Sequence, residues 1–274
     1  MNRAATRTLS EKIWTWILWV ASALIFAFLL APILAIIPLS FSSGEFMTYP
    51  LPGLSLRWYA DFLTSEKWTG SLANSLMLGA SATTLATGLG TLAALGLNRA
   101  SFRGKGIVMG ILLSPMIVPL VITAVGMYFV FAPIGLSANF LGLVLAHTAL
   151  AAPFVVVTVS ATLAGFDMNL VRAAASLGAN PTTVFFKVIL PLIGPGVASG
   201  ALFAFATSFD EVVVVLFIGG PTQRTLPWEM FSGIRESISP TITAVATVLI
   251  LVSATLLAVL ELLRRRNARL RGPA

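Results

Sequence analysis

The chain has 274 residues, 57% of them hydrophobic and 10% charged, with a formal net charge of +7. A soluble domain carries about 25% charged residues, so this composition excludes an ordinary water-soluble globule, and its hydrophobicity excludes a disordered chain. Cysteine is missing and His147 is the single histidine, which excludes disulfides, thiolate metal sites, cysteine nucleophiles and any site needing two histidines. The basic residues lie in short segments between apolar runs, an arrangement that fits a lipid bilayer and not nucleic acid.

Six apolar stretches are long enough to cross about 30 Å of hydrocarbon. They run from Ile13 to Leu39, Leu72 to Leu97, Ile107 to Phe131, Phe140 to Leu163, Leu192 to Ile218 and Ile242 to Leu263. The fold class expected is an all-α membrane protein of six transmembrane helices forming one domain over residues 1–274. Its core is 70–263, its first helix 13–39, its polar loop 164–191 and its basic tail 264–274. The first stretch exceeds a signal-peptide apolar region and lacks a small-x-small cleavage site near its end, so it reads as an uncleaved helix. Trp14, Trp16 and Trp19 at its start suit an interfacial aromatic belt or a lipid-facing surface.

Six spans put both termini on one side. That side collects Arg3, Arg7, Lys12, Arg99, Arg103, Lys105, Arg172, Lys187 and the five arginines from Arg264 to Arg271, thirteen of the 17 basic residues. The positive-inside rule makes it cytoplasmic. Loops 40–70 and 219–240 then face outward.

Ser75, Gly79, Thr83, Thr87 and Thr91 recur at every fourth position of the second span and form one small face, suited to close helix packing or to lining a pathway. Pro115 and Pro119 should kink or break the third span.

The segment Leu163–Pro191 differs from the rest. Asn169 is expected to cap a short helix through Leu177, with Gly178 as its C′ residue and Pro181 in the first turn of a second short helix ahead of Pro191. The helix–Gly–helix unit exposes apolar side chains that need a partner. It resembles the EAA loop of the permease subunits of ATP-binding-cassette importers, whose pattern is E-A-A, three residues, Gly, nine residues, I-x-L-P. Here Arg172-Ala173-Ala174, Gly178 and Val188-Ile189-Leu190-Pro191 keep the spacing, with Arg172 where the family has Glu. The stretches Leu112 to Ile122 and Ser208 to Thr247 are similar to the spermidine/putrescine branch, second permease subunit. Opine, aminoethylphosphonate and iron permeases are similar enough to leave the substrate open.

The resemblance implies a type I importer permease fold in which Arg172, Ala173, Ala174, Leu177, Gly178 and Pro181 form an ATPase-docking coupling loop. It implies as partners an ATPase dimer that holds ATP and Mg, a second homologous permease and a periplasmic solute-binding protein. The chain itself then needs no cofactor and is no enzyme, in line with its lack of a G-x-x-x-x-G-K-[ST] motif. The setting implied is the bacterial inner membrane.

Asp210 and Glu211 lie inside the fifth span, Asp210 about 27 Å along it from Leu192 at 1.5 Å per residue. Intramembrane acids face a cavity or a partner, so the two are candidates for a cation path, with a structural hydrogen-bonding role as the alternative. In the following outer loop Arg224, Trp228, Glu229 and Arg235 are candidates for contact with a binding protein. His147 reads as a hydrogen-bonded packing residue. The rival function is an ion-gradient-driven secondary transporter that uses Asp210, Glu211 and His147 as a proton path; it leaves the 164–191 loop unexplained.

Overall fold

The computed structural model describes residues 9–236 and 239–270. Its helices are α1 (Leu9–Leu39), α2 (Arg57–Thr64), α3 (Glu66–Arg99), α4 (Lys105–Leu113), α5 (Leu120–Phe131), α6 (Phe140–Ala164), α7 (Asn169–Ser176), α8 (Pro181–Val184), α9 (Leu190–Phe209), α10 (Val213–Ile218), α11 (Leu226–Glu236) and α12 (Thr241–Leu270). Among the described residues the sole extended pairing outside helices is one bridge between Ser42 and Leu54. Four helical segments are long and apolar enough to cross a membrane, and a fifth is if the bent pair α4–α5 counts as one span. Within α12 the described apolar part, Thr241–Thr255, is shorter than these.

The described residues fall into two compact units, 9–64 with 239–254 and 65–236 with 255–270. In the first, α1 contains no buried residue, as expected of a helix whose surroundings are lipid or another subunit. The turn after it is tied by Trp58 Nε1 donating to Ser42 O at 2.8 Å and by Ser40 Oγ against Tyr59 OH at 2.7 Å. Asp61 on α2 accepts from Thr241 Oγ1 at 2.6 Å.

The second unit is organised by α3, α6 and α9. Lipid tails are as apolar as leucine, so helices here associate through close contact and not through exclusion of water. The small face of α3 supplies that contact: Gly79 lies against Phe205 of α9, and Gly90 lies against Val155 and Ala152 of α6. One cluster joins Ala86 and Ala94 with Val155, Val159, Ile193 and Ala204; a second joins Leu78, Leu143, Val144 and Val214 with Ala124 of α5.

Two expected spans are interrupted. The third bends by 104° between Met116 and Leu120. Pro119 has no N–H to give and its ring opposes a helical residue before it, so the helix stops and restarts at Leu120. The fifth, expected as Leu192 to Ile218, instead begins at Pro181 and is broken at 210–212, where α10 starts afresh. Phe185–Ile189 between α8 and α9 is a π turn in which Leu190 N donates to Phe185 O. Pro191 accounts for it: its ring crowds the carbonyl four residues back and the turn widens to accommodate it.

The packing makes a paired prediction. A methyl added at Gly90 would sit 2.7 Å from Val155 Cβ, whereas one added at Gly88 meets nothing within 4 Å. Gly90→Ala should cost about 1–3 kcal/mol through overpacking, and Gly88→Ala should leave stability unchanged or higher. Tryptophan-monitored thermal unfolding of the purified protein in detergent compares them; equal midpoints would contradict this account of the α3–α6 contact.

Candidate functional site

The 164–191 segment folds as two helical pieces joined at a glycine. Asp167 starts α7: its Oδ1 accepts from Asn169 N at 2.9 Å. The cap was expected from Asn169, which is instead the first helical residue. Asp167, two residues earlier, aims its carboxylate at the free amides of the helix start, and a charged acceptor there is also favoured by the helix dipole. At the other end Ala179 N donates to Ala174 O at 3.1 Å and Gly178 N to Ala175 O at 2.9 Å. This is the Schellman pair of bonds, and it needs the left-handed φ of +83° that Gly178 adopts. Asn180 then caps α8 by accepting from Thr183 N at 2.8 Å, with Pro181 as the first helical residue.

The two faces of α7 differ. Val171 and Ala174 pack on the core cluster. Arg172, Ala173 and Gly178 are exposed, and Leu177 is 89% exposed. Leu177 is thus an apolar side chain presented at the tip of a capped turn, open to a partner surface.

Asp210 and Glu211 point apart. Asp210 ends α9 and is exposed; Glu211 is 8% exposed. Glu211 Oε1 accepts from Val214 N at 2.9 Å, satisfying an amide at the start of α10. The same residue lines a cavity of about 380 Å³ with Pro115, Leu120, Leu150, Phe154 and Thr207. Both helix breaks therefore open onto one space, whose walls are apolar apart from a hydroxyl, a carboxylate and the interrupted backbone. His147 is 1% exposed and its Nδ1 lies 2.8 Å from Ser208 Oγ. It does not line that cavity, so the three groups weighed as a proton path do not gather at one place.

In the 219–236 segment Arg224, Trp228 and Glu229 come together, and Arg235 does not join them. Glu229 is 1% exposed. Its Oε2 lies 2.9 Å from Lys67 Nζ and its Oε1 3.4 Å from Arg224 Nη1. Arg224 also stacks 4.5 Å from the Trp228 ring. Of the four residues expected at a binding-protein contact, Glu229 is thus withdrawn from the surface: its carboxylate is held by two cations at the head of α3 and in the loop itself. Arg235 is exposed and lies over Phe231 at 5.9 Å.

Residues 86–270 match the family described as the binding-protein-dependent transport system inner membrane component. The chain belongs to this family. The spermidine/putrescine transport system permease protein PotC of Shigella flexneri is 35% identical to it over 248 residues, 90% of this chain and 94% of that protein. The putrescine transport system permease protein PotI of Escherichia coli (strain K12) is 37% identical over 232 residues, 82% of each chain. The molybdenum transport system permease protein ModB of Mycobacterium bovis is 32% identical over 236 residues, 78% of this chain and 88% of that one. Among solved structures, a bacterial ABC transporter involved in the import of alginate superposes with a TM-score of 0.72, covering 96% of this chain and 99% of that chain. At 15% identity that likeness concerns the fold. The chain is the transmembrane permease subunit of an ABC importer.

In this permease the head of α3 clamps the 219–236 segment through Lys67, Asn74 and Ser75, of which the sequence singled out only Ser75, as part of the small face. Asn74 Nδ2 donates to Thr222 O at 3.0 Å and Arg224 O at 2.9 Å. Ser75 Oγ accepts from Leu226 N at 2.8 Å, filling one of the free amides that open α11. Lys67 was legible only as a loop charge. Its partner is 162 positions away in sequence, and no local pattern links the two.

Removing the Glu229 carboxylate should free the clamp. Glu229→Ala leaves Lys67 and Arg224 without their counter-charge, at a cost of about 1–3 kcal/mol given that both cations are half exposed. Limited trypsin digestion of membrane-embedded protein should cut at Arg224 or Arg235 several times faster in the variant. Unchanged cleavage would show that the ion pairs do not restrain the segment.

Proposed function

We propose that this chain forms one half of the translocation channel of a polyamine importer in the bacterial inner membrane, with both termini cytoplasmic. The 164–191 loop engages an ATPase dimer that binds ATP and Mg. A second, homologous permease completes the channel, and a periplasmic binding protein delivers the solute to the 219–236 face. ATP binding draws the two coupling loops together and the channel opens outward; hydrolysis and release reset it. The chain makes and breaks no bonds. It converts a difference in docking free energy into a difference in the population of inward- and outward-facing states.

The observation that carries this reading is the capped α7–Gly178–α8 unit, with Leu177 presented at its tip and the family spacing intact. A gradient-driven transporter has no use for it. The substrate class rests on the relatives named for spermidine and putrescine, and on the chemistry of the cavity at the helix breaks. The Glu211 carboxylate attracts an alkylammonium, Phe154 and Leu150 accept methylene groups, and about 380 Å³ leaves room for a chain of several carbons. A molybdate-like anion would meet the carboxylate of Glu211 in a site of low dielectric, which opposes it.

The decisive experiment is reconstitution of the complete transporter in vesicles with its binding protein. Labelled spermidine or putrescine should enter in an ATP-dependent manner. Uptake by this chain without an ATPase, driven by an ion gradient, would overturn the proposal, and uptake of molybdate in place of polyamine would overturn the substrate class.

Three substitutions refine the roles. Gly178→Val forces a β-branched residue into a left-handed conformation at a penalty of about 1–2 kcal/mol, enough to depopulate the docked loop roughly tenfold. ATP hydrolysis should continue while uptake falls. Glu211→Gln should reduce uptake more than Asp210→Asn, because Glu211 lines the cavity while Asp210 is outside it. The reverse order, read as initial uptake rate, would remove Glu211 from the path.

A further inference from the structure

The exposed face of the docking loop is positively charged, and its charge has no partner within the described part of the chain. Arg172 projects from α7 beside Ala173, four residues before Ser176 and five before Leu177. Its one polar side-chain contact is Nη1 to Asn169 Oδ1 at 3.5 Å, the outer limit of a hydrogen bond. None of the three ion pairs among the described residues includes it. The single acid between 164 and 191 is Asp167, and its carboxylate is used on the amide of Asn169. Arg99, at the end of α3, lines a groove of about 260 Å³ together with Val171 and Ala175 of α7. The 98–106 turn adds Arg103 and Lys105 and contains no acid.

Burial of the knob and burial of this charge are one event. Leu177 gains by docking because it is almost fully exposed without a partner. Ala173 permits close approach of whatever receives α7. A receiving surface that covers Ala173 and Leu177 also strips water from the neighbouring guanidinium of Arg172, and a guanidinium removed from water without a carboxylate opposes binding strongly. Arginine offers a planar fork that matches a carboxylate with two parallel hydrogen bonds. A basic surface opposite it would be rejected by like-charge repulsion.

We propose that the ATPase subunit serving this permease carries an aspartate or glutamate opposite Arg172, and that this pair matches the ATPase to this permease. The proposal rests on the importer reading above. It adds the partner's chemistry: a permease with a carboxylate at the position of Arg172 requires a different, basic complement, and its ATPase should not serve this chain.

The test uses the complete transporter, this chain co-expressed with its second permease and ATPase. The chain has no cysteine, so Ala173→Cys carries a unique thiol to which a photoactivatable cross-linker can be attached. An adduct with the ATPase is expected. An adduct with lipid alone overturns both this proposal and the docking role of the loop. R172E should lower ATP-driven uptake at least tenfold, and one Asp→Arg or Glu→Arg change in the ATPase groove should restore most of it. Normal uptake by R172E, or failure of every such reversal to rescue it, overturns the acidic complement while an ATPase adduct leaves the docking role standing. Where R172E lowers the amount of chain in the membrane, R172Q combined with neutralisation of the ATPase acid gives a double-mutant cycle: non-additive losses support the pair, and additive losses overturn it.

Discussion

Hydrocarbon offers no water to a backbone amide, so wherever a spanning helix breaks, the protein must provide its own acceptors. Most of this chain meets the requirement with uninterrupted helix. The exceptions are few and concentrated. The third span stops at Pro119 and the fifth at Asp210, and both breaks border the same cavity. At the second break an amide of α10 is taken by Glu211. The carboxylate caps the restarting helix, and the restart leaves it beside an open space. The capping bond of Glu211 and its place beside the cavity follow from one backbone interruption.

The 164–191 loop obeys the same constraint at its own scale. A two-helix knob must end its first helix sharply without leaving carbonyls bare. The paired bonds from Gly178 and Ala179 do this in one turn. The result is a stiff projection, anchored on one face by Val171 and Ala174 and presenting Leu177 on the other. For the proposed coupling role stiffness matters, because a flexible loop would absorb a displacement in its own conformational freedom. At the opposite end of α3, Lys67, Asn74 and Ser75 tie down the 219–236 segment. One long helix, packed on α6 and α9 through Gly79 and Gly90, thus borders the groove beside α7 through Leu95 and Arg99 at one end and the clamped segment at the other. A rigid element that biases two distant sites is the physical requirement for coupling them.

Amino-acid order alone determined the class of the molecule, the spans that repeat a long apolar run, the break at Pro115 and Pro119, and the helix–Gly–helix unit within 164–191. These depend on composition, helix length, proline chemistry and the conformational demand on Gly178, all of which act over a few residues. It also separated Asp210 and Glu211 as the polar interruption of the fifth span. Only the tertiary structure decided which of the two enters the cavity, because adjacent residues at a helix end diverge and burial depends on what packs there. It moved the cap of α7 from Asn169 to Asp167, since the geometry of the approaching chain selects the acceptor. It turned Glu229 from a surface candidate into the buried centre of an ion cluster with Lys67 and Arg224, a pairing across 162 positions that no local pattern encodes. Short-range steric and hydrogen-bonding demands can be read along the chain, whereas the environment of a charge is set by segments that meet only when the helices pack.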